Sequence, residues 1–275
     1  MLVVDARTDQ NWLQTLLEAL RFGGVGVVEG VAPAELVSEA RERMYAVQRS
    51  IREDVGEERL QRAGELGVLR LMLRYDPFFF RFLELPEVLA VVDATVSETA
   101  ILHVQNGLVL PPLAEEEESP ELFQTRFHRD FPRILNGYLM SVNTFFALDD
   151  FSPQSGGTMF AAGTHQVEGR PPDAFLVSEA ENATCSPGAM IVFDSTTWHA
   201  AGANRSGKDR MAINQQFTRS YVKQQVDYVR ALGDETVLAQ QPRIQQLLGW
   251  YTRVVTSLDE YYVPAEERLY RSGQG

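Results

Sequence analysis

A chain of 275 residues, 44% of them hydrophobic, is long enough to bury a sizeable core, and 38 acidic against 25 basic residues leave it with a net charge of −13. That charge repels a phosphate backbone and weighs against general nucleic-acid binding. No apolar run approaches the roughly 18–20 residues of a membrane span, the start MLVVDARTDQNW lacks the pattern of a signal peptide, and the single cysteine, Cys185, excludes an internal disulfide framework and suits a reducing cytoplasm.

In chain order, the first hundred residues read as mostly helical. Trp12, Leu13, Leu16, Leu17 and Leu20 recur at helical spacing in 11–22. The glycine-bounded, valine-rich segment 23–31 predicts a short strand, and 32–51 returns to a helical period through Leu36, Val37, Ala40, Met44 and Val47, with Pro33 in its first turn. Residues 86–98 predict a further helix. The texture then changes: 100–110, 122–131, 137–148, 156–163, 189–194 and 209–220 read as strands separated by Pro, Gly, Asn and Asp clusters. The acidic stretch 111–121 reads as a solvated surface loop, with a lid as the alternative. The tail predicts helix from Tyr221 to Leu258. With no repeat or low-complexity linker, the chain reads as one domain, 1–275, with a helical part to 99, a β core over 100–220 and a helical part from 221.

FQTRFHRDFPR, 123–133, raises the chemical question. On a strand, His128 and Asp130 point to one face. One imidazole and one carboxylate there can hold a metal from one side, and His165 and His199 are the serious candidates for a third ligand, with His103 less attractive. Two histidines and a carboxylate form the facial triad of non-heme iron oxygenases, which leaves coordination positions open for a cosubstrate and oxygen. Arg210, eleven residues after His199, offers a cationic fork for a carboxylate.

Several ordered pieces resemble the phytanoyl-CoA dioxygenase family of Fe(II)/2-oxoglutarate-dependent oxygenases. They are RFGGVGVVEGVAPAEL (21–36), FHRDF (127–131), FFALDDFSPQSGGTMFAAGTHQ (145–166) and GAMIVFDSTTWHAAGANRSGKDRMAINQQF (188–217). The resemblance implies a mainly β fold, a double-stranded β-helix of jelly-roll, cupin-like type, buttressed by N- and C-terminal helices. It implies Fe(II), 2-oxoglutarate and O2 as cofactors, with His128, Asp130 and His199 as the catalytic iron ligands. Arg210 matches the arginine that binds the distal carboxylate of 2-oxoglutarate. Gln105 aligns loosely with a polar cosubstrate contact. Ala201 stands where some members carry serine, and Thr196 is a candidate replacement donor. AAGTH and SGG depart from the commoner PGSH and NGG. Related iron halogenases carry a small residue at the position of Asp130, so the carboxylate argues for hydroxylation over halogenation.

Arg126 shares strand parity with His128 and Asp130, which makes it either half of an internal ion pair or a handle for an anionic substrate. Trp198 is either a packing residue or a substrate contact. The expected activity is oxidation of an unactivated C–H bond in a small molecule such as a secondary-metabolite intermediate. Two rivals stand beside it: a cupin-like metalloenzyme without 2-oxoglutarate, which has no need of Arg210, and a non-catalytic binding protein, which has no need of three ligands.

Overall fold

The structure, a computed structural model, describes residues 1–113 and 125–275. Its strands form two sheets. The larger has seven strands in the order β1-β2-β8-β5-β10-β4-β3, and the smaller has three in the order β7-β6-β9. The ranges are β1 Leu2–Asp5, β2 Val25–Glu29, β3 Val68–Arg70, β4 Ile101–Leu110, β5 Ser141–Ala147, β6 Met159–Ala161, β7 Ala180–Asn182, β8 Met190–Asp194, β9 His199–Ala200 and β10 Arg210–Thr218. Only β1 and β2 run parallel; every other pairing is antiparallel.

Alternation along the strands sorts the large sheet into two faces. Val28, Val142, Phe146, Met190, Val192, Met211, Ile213 and Phe217 join a cluster built with the helices. Val25, Val27, Phe145, Ala147, Ile191, Phe193 and Ala212 join a second cluster with Phe151, Phe160, Ala183 and Cys185, on the side of the small sheet. The polar residues of β10 that break this pattern, Arg210, Asn214 and Gln216, line a cavity.

The helical face is covered mainly by α1 (Trp12–Gly23), α2 (Ala34–Val55) and α5 (Pro86–Thr95). On α2 the buried residues are Leu36, Val37, Ala40, Met44, Val47 and Ile51, a stripe at three- and four-residue spacing. Two short helices follow it, α3 Glu57–Ala63 and α4 Met72–Tyr75, and α6 (Asp173–Glu179) lies between β6 and β7.

Three expectations need correction. Helical residues outnumber strand residues, so the fold is mixed α/β and not mainly β. The tail is not one long helix: α7 Tyr228–Leu232, α8 Asp234–Leu238 and α9 Pro242–Leu247 are separated by Gly233, in a left-handed backbone (φ 83°), and by Pro242, which starts a helix and cannot continue one; α10 covers only Leu258–Tyr261. The segment expected as a strand over 122–131 is irregular from 125 onward, with a single bridge between His128 and His199. Residues 122–124 and most of the acidic stretch, 114–121, lie outside the described residues. Sequence reading also passed over β1, β3 and a 3-10 turn at Pro77–Phe82, each too short to show a period.

Candidate metal centre

The irregular run carrying His128 and Asp130 is fixed by backbone hydrogen bonds to the strand-and-turn opposite. His128 and His199 exchange N–H···O bonds of 2.9 and 3.0 Å, and the N–H groups of Asp130 and Phe131 both donate to the Ser195 carbonyl at 2.9 Å. Parity along a strand is therefore not what aligns the pair.

Both imidazoles are held the same way. Nδ1 of His128 lies 2.8 Å from the Arg126 carbonyl, and Nδ1 of His199 lies 3.0 Å from the Thr197 carbonyl. A carbonyl only accepts, so Nδ1 carries the proton in each ring and Nε2 presents its lone pair. Those Nε2 atoms lie 3.6 and 3.8 Å from the two oxygens of Asp130. One ligand atom from each residue falls within 4.8 Å of the others, and this is the set capable of holding a metal among the described residues. Burial, with the neighbouring His199 second, pushes His128 down to about 4, so its ring is neutral at neutral pH. The rings of Phe193 and Phe160 pack on His199 with centroids 4.8 and 5.7 Å away.

Asp130 is oriented by Asn143, whose Nδ2 donates to Oδ2 at 2.9 Å. The same amide nitrogen donates to Asn214 at 2.9 Å, and its oxygen accepts from the Ser195 hydroxyl. The Ser195 and Ser141 hydroxyls are 2.7 Å apart, and Gln216 donates to Ser141 at 2.9 Å. This buried chain locks the carboxylate in one rotamer.

The centre opens into a cavity of about 940 Å³. Arg210 forms part of its wall and is only 3% exposed. Its terminal nitrogen donates to the Gly156 carbonyl at 2.8 Å, its guanidinium lies 4.4 Å from the Phe151 ring centroid, and its Nε has no hydrogen-bond partner. No carboxylate among the described residues lies within ion-pair distance of it. Burial lowers its pKa to about 10, which leaves it cationic at neutral pH. A buried cation without an anion is unfavourable unless a ligand supplies one.

The phytanoyl-CoA dioxygenase (PhyH) family pattern matches residues 21–212. The chain belongs to this family. The matched span contains the two histidines, Asp130 and Arg210. Over 263 residues, 96% of each chain, it is 56% identical to the Mycobacterium tuberculosis protein named Uncharacterized protein Rv1501 and to Uncharacterized protein Mb1539 of Mycobacterium bovis. Dioxygenase andF of Emericella variicolor is 27% identical over 154 residues, 56% of this chain and 50% of its own length.

Within this family member, four other expected site residues are placed elsewhere. Gln105 is on the helix-facing side of β4: its backbone N–H meets the Tyr228 hydroxyl at 2.7 Å and its side chain donates to the Phe79 carbonyl at 3.2 Å. Its neighbour Asn106, of opposite parity, lines the cavity. The Thr196 hydroxyl is bound to Asp194 at 2.6 Å and does not reach the cavity. Arg126 is exposed because its segment is not a strand; its contribution at the centre is the carbonyl that orients His128. Trp198 does not line the cavity. The guanidiniums of Arg129 and Arg170 lie over it, each 4.9 Å from its centroid, while Arg129 also donates to the Thr164 and Val167 carbonyls and Arg170 to that of Phe127. Trp198 thus anchors the run that carries His128 and Asp130.

Sequence reading missed Asn143, Asn106 and Asn214. A signal existed for the first and last: Asn143 is the one amide of its strand, SVNTFFA, and Asn214 opens a run of three amides in RMAINQQFT, an unusual density of polar groups for a buried strand. His103 also lines the cavity, with a buried Nδ1 that has no partner, and burial lowers its pKa.

Proposed function

We propose that this protein is an Fe(II)/2-oxoglutarate-dependent oxygenase that hydroxylates an unactivated C–H bond of a small molecule. What carries the reading is Arg210, a buried, unpaired cation in the wall of the same cavity that the His-Asp-His set opens into. A metalloenzyme without a diacid cosubstrate has no use for such a group, and a binding protein has no use for the ligand set.

The residues fit the groups. His128, Asp130 and His199 offer two imidazoles and one carboxylate to Fe(II). Arg210 offers a fork to the distal carboxylate of 2-oxoglutarate, and its idle Nε is a donor waiting for that acceptor. Held by these residues, Fe(II) and 2-oxoglutarate would supply the oxidising chemistry, in which O2 gives one oxygen atom to succinate, with loss of CO2, and the other to the substrate. The chain's part is positional. Asn143 holds Asp130, the Arg126 and Thr197 carbonyls hold the rings, and Phe145, Phe193 and Leu108 give the cavity apolar surface that limits water.

In this reading the chain works as one domain on a double-stranded β-helix. Two sheets with apolar residues between them support the fold, and a single hydrophobic cluster running from Val4 to Leu248 supports the unity. The test is spectroscopic. Under nitrogen, adding Fe(II) and then 2-oxoglutarate should produce a weak visible charge-transfer band, lost in H199A and weakened in R210M. Iron binding without a band would favour the cupin-like alternative, and no iron binding would remove the centre itself.

A further inference from the structure

The cavity is larger than a five-carbon diacid needs, since sites for drug-sized ligands run from roughly 300 to 1,000 Å³ and this one is about 940 Å³. Across β4 from β10, its wall is built by α2, α3 and β3: Gln48 and Arg52, one helical turn apart, then Gln61, Leu66 and Val68. Leu108, paired with Val68, continues the apolar strip from there along β4.

Arg52 is the outstanding group in this part. Its Nε is shielded from solvent and has no hydrogen-bond partner, and among the described residues its guanidinium makes no ion pair. The other polar contacts around it are made within the chain, and of the arginines on this part of the wall Arg70 is the one that is ion-paired. Arg70 is held by both oxygens of Glu65 at 2.8 and 2.7 Å, Asp209 accepts from the Tyr45 hydroxyl at 2.9 Å, and Asp54 accepts from Tyr75 at 3.0 Å. A shielded donor with no acceptor is unfavourable, so the Arg52 Nε facing this cavity is open to an acceptor that a ligand would bring.

We propose that Arg52, with Gln48 and Gln61, is the recognition site for a carboxylate on the substrate, and that the substrate is an apolar small molecule carrying one such group. The proposal rests on the oxygenase reading in one respect: the second ligand of the cavity is the molecule to be oxidised. One planar fork flanked by two amides matches one carboxylate. A phosphate ester, with up to two charges, calls for a second cation, and Arg70 on the same part of the wall is already paired with Glu65. The Leu66–Val68–Leu108 strip takes the apolar body.

The test is calorimetric, on the metal-loaded protein under nitrogen with saturating 2-oxoglutarate. Butanoate, octanoate and dodecanoate are titrated beside the matching primary alcohols and dodecyl phosphate. At least one carboxylate should bind roughly tenfold tighter than its alcohol. That preference should vanish in R52Q and survive in part in R52K, which keeps the charge and loses the fork. Three results overturn the proposal: no carboxylate outbinding its alcohol, a preference unchanged in R52Q, or dodecyl phosphate outbinding dodecanoate. Titrating 2-oxoglutarate alone separates this failure from that of the oxygenase reading. If 2-oxoglutarate does not bind, the series is repeated on the metal-loaded protein, where loss of the preference in R210M but not in R52Q places the carboxylate at Arg210 and overturns the assignment to Arg52.

Discussion

At the scale of single residues, Asp130 and its partner Asn143 separate two contributions. Removing the carboxylate in D130A takes away a ligand, so Fe(II)-dependent turnover of 2-oxoglutarate should fall to background. Asn143→Ala leaves all three ligands and removes the donor 2.9 Å from Oδ2. Partners of this kind are worth about 10- to 100-fold in metal affinity, and a competition titration with a fluorescent chelator should read that loss. R210M should weaken 2-oxoglutarate binding by about 2 kcal/mol or more, some thirtyfold, because a charge-assisted pair is lost. Cys185 illustrates the opposite case. Burial pushes its thiol up to about 12, so at pH 8 it should resist iodoacetamide in the native protein and react only after unfolding.

Among the structural elements, the run 125–131 is the exposed risk, since it carries two members of the His-Asp-His set with one bridge and no ladder. Trp198 compensates through Arg129 and Arg170. Two such contacts are worth about 1–2 kcal/mol together, so W198A should lower the melting temperature and also raise the metal dissociation constant, the second effect marking a role beyond packing. The turn at Gly156 is a second weak point. Its φ of 71° is left-handed, and a Cβ there would meet the Gly202 carbonyl oxygen at 2.6 Å. Because the Gly156 carbonyl anchors Arg210, G156A should reduce 2-oxoglutarate affinity along with stability.

For the molecule as a whole, a site that joins a loop, the small sheet and the large sheet makes metal binding and folding one equilibrium. Fe(II) at a hundred times its dissociation constant should add about 2.7 kcal/mol. The melting temperature should rise by several degrees, return on addition of a chelator, and not rise at all in D130A. The cover of the large sheet explains why the tail matters to this stability. Tyr228, Val237, Ile244 and Leu247 reach the same hydrophobic cluster as α1 and α2, although the helices bearing them are barely a turn or two long. The described helices include none long and apolar enough to cross a membrane.

Periodicity made α1, β2, α2, α5, β4, β5, β8 and β10 legible before any coordinates, because each is long enough, or apolar enough on one face, for local spacing to govern it. The tail was legible only in part. Its apolar residues were visible, but Gly233 and Pro242 outweigh propensity and divide it. The His-Asp-His set and the buried arginine could be picked out from ordered motifs, and the fold brings them to one cavity. Which atoms face the centre could not. Gln105 and Asn106 differ by one position, and only the register of β4 against β10 decides which enters the cavity. Arg126 was assigned to an interior by the parity of a strand that does not form. Asn143, the two orienting carbonyls and the unpaired state of Arg52 depend on neighbours far away in the chain. Local spacing is written in the sequence itself, whereas a hydrogen-bond partner or its absence is a property of the packed whole, which tertiary structure alone decides.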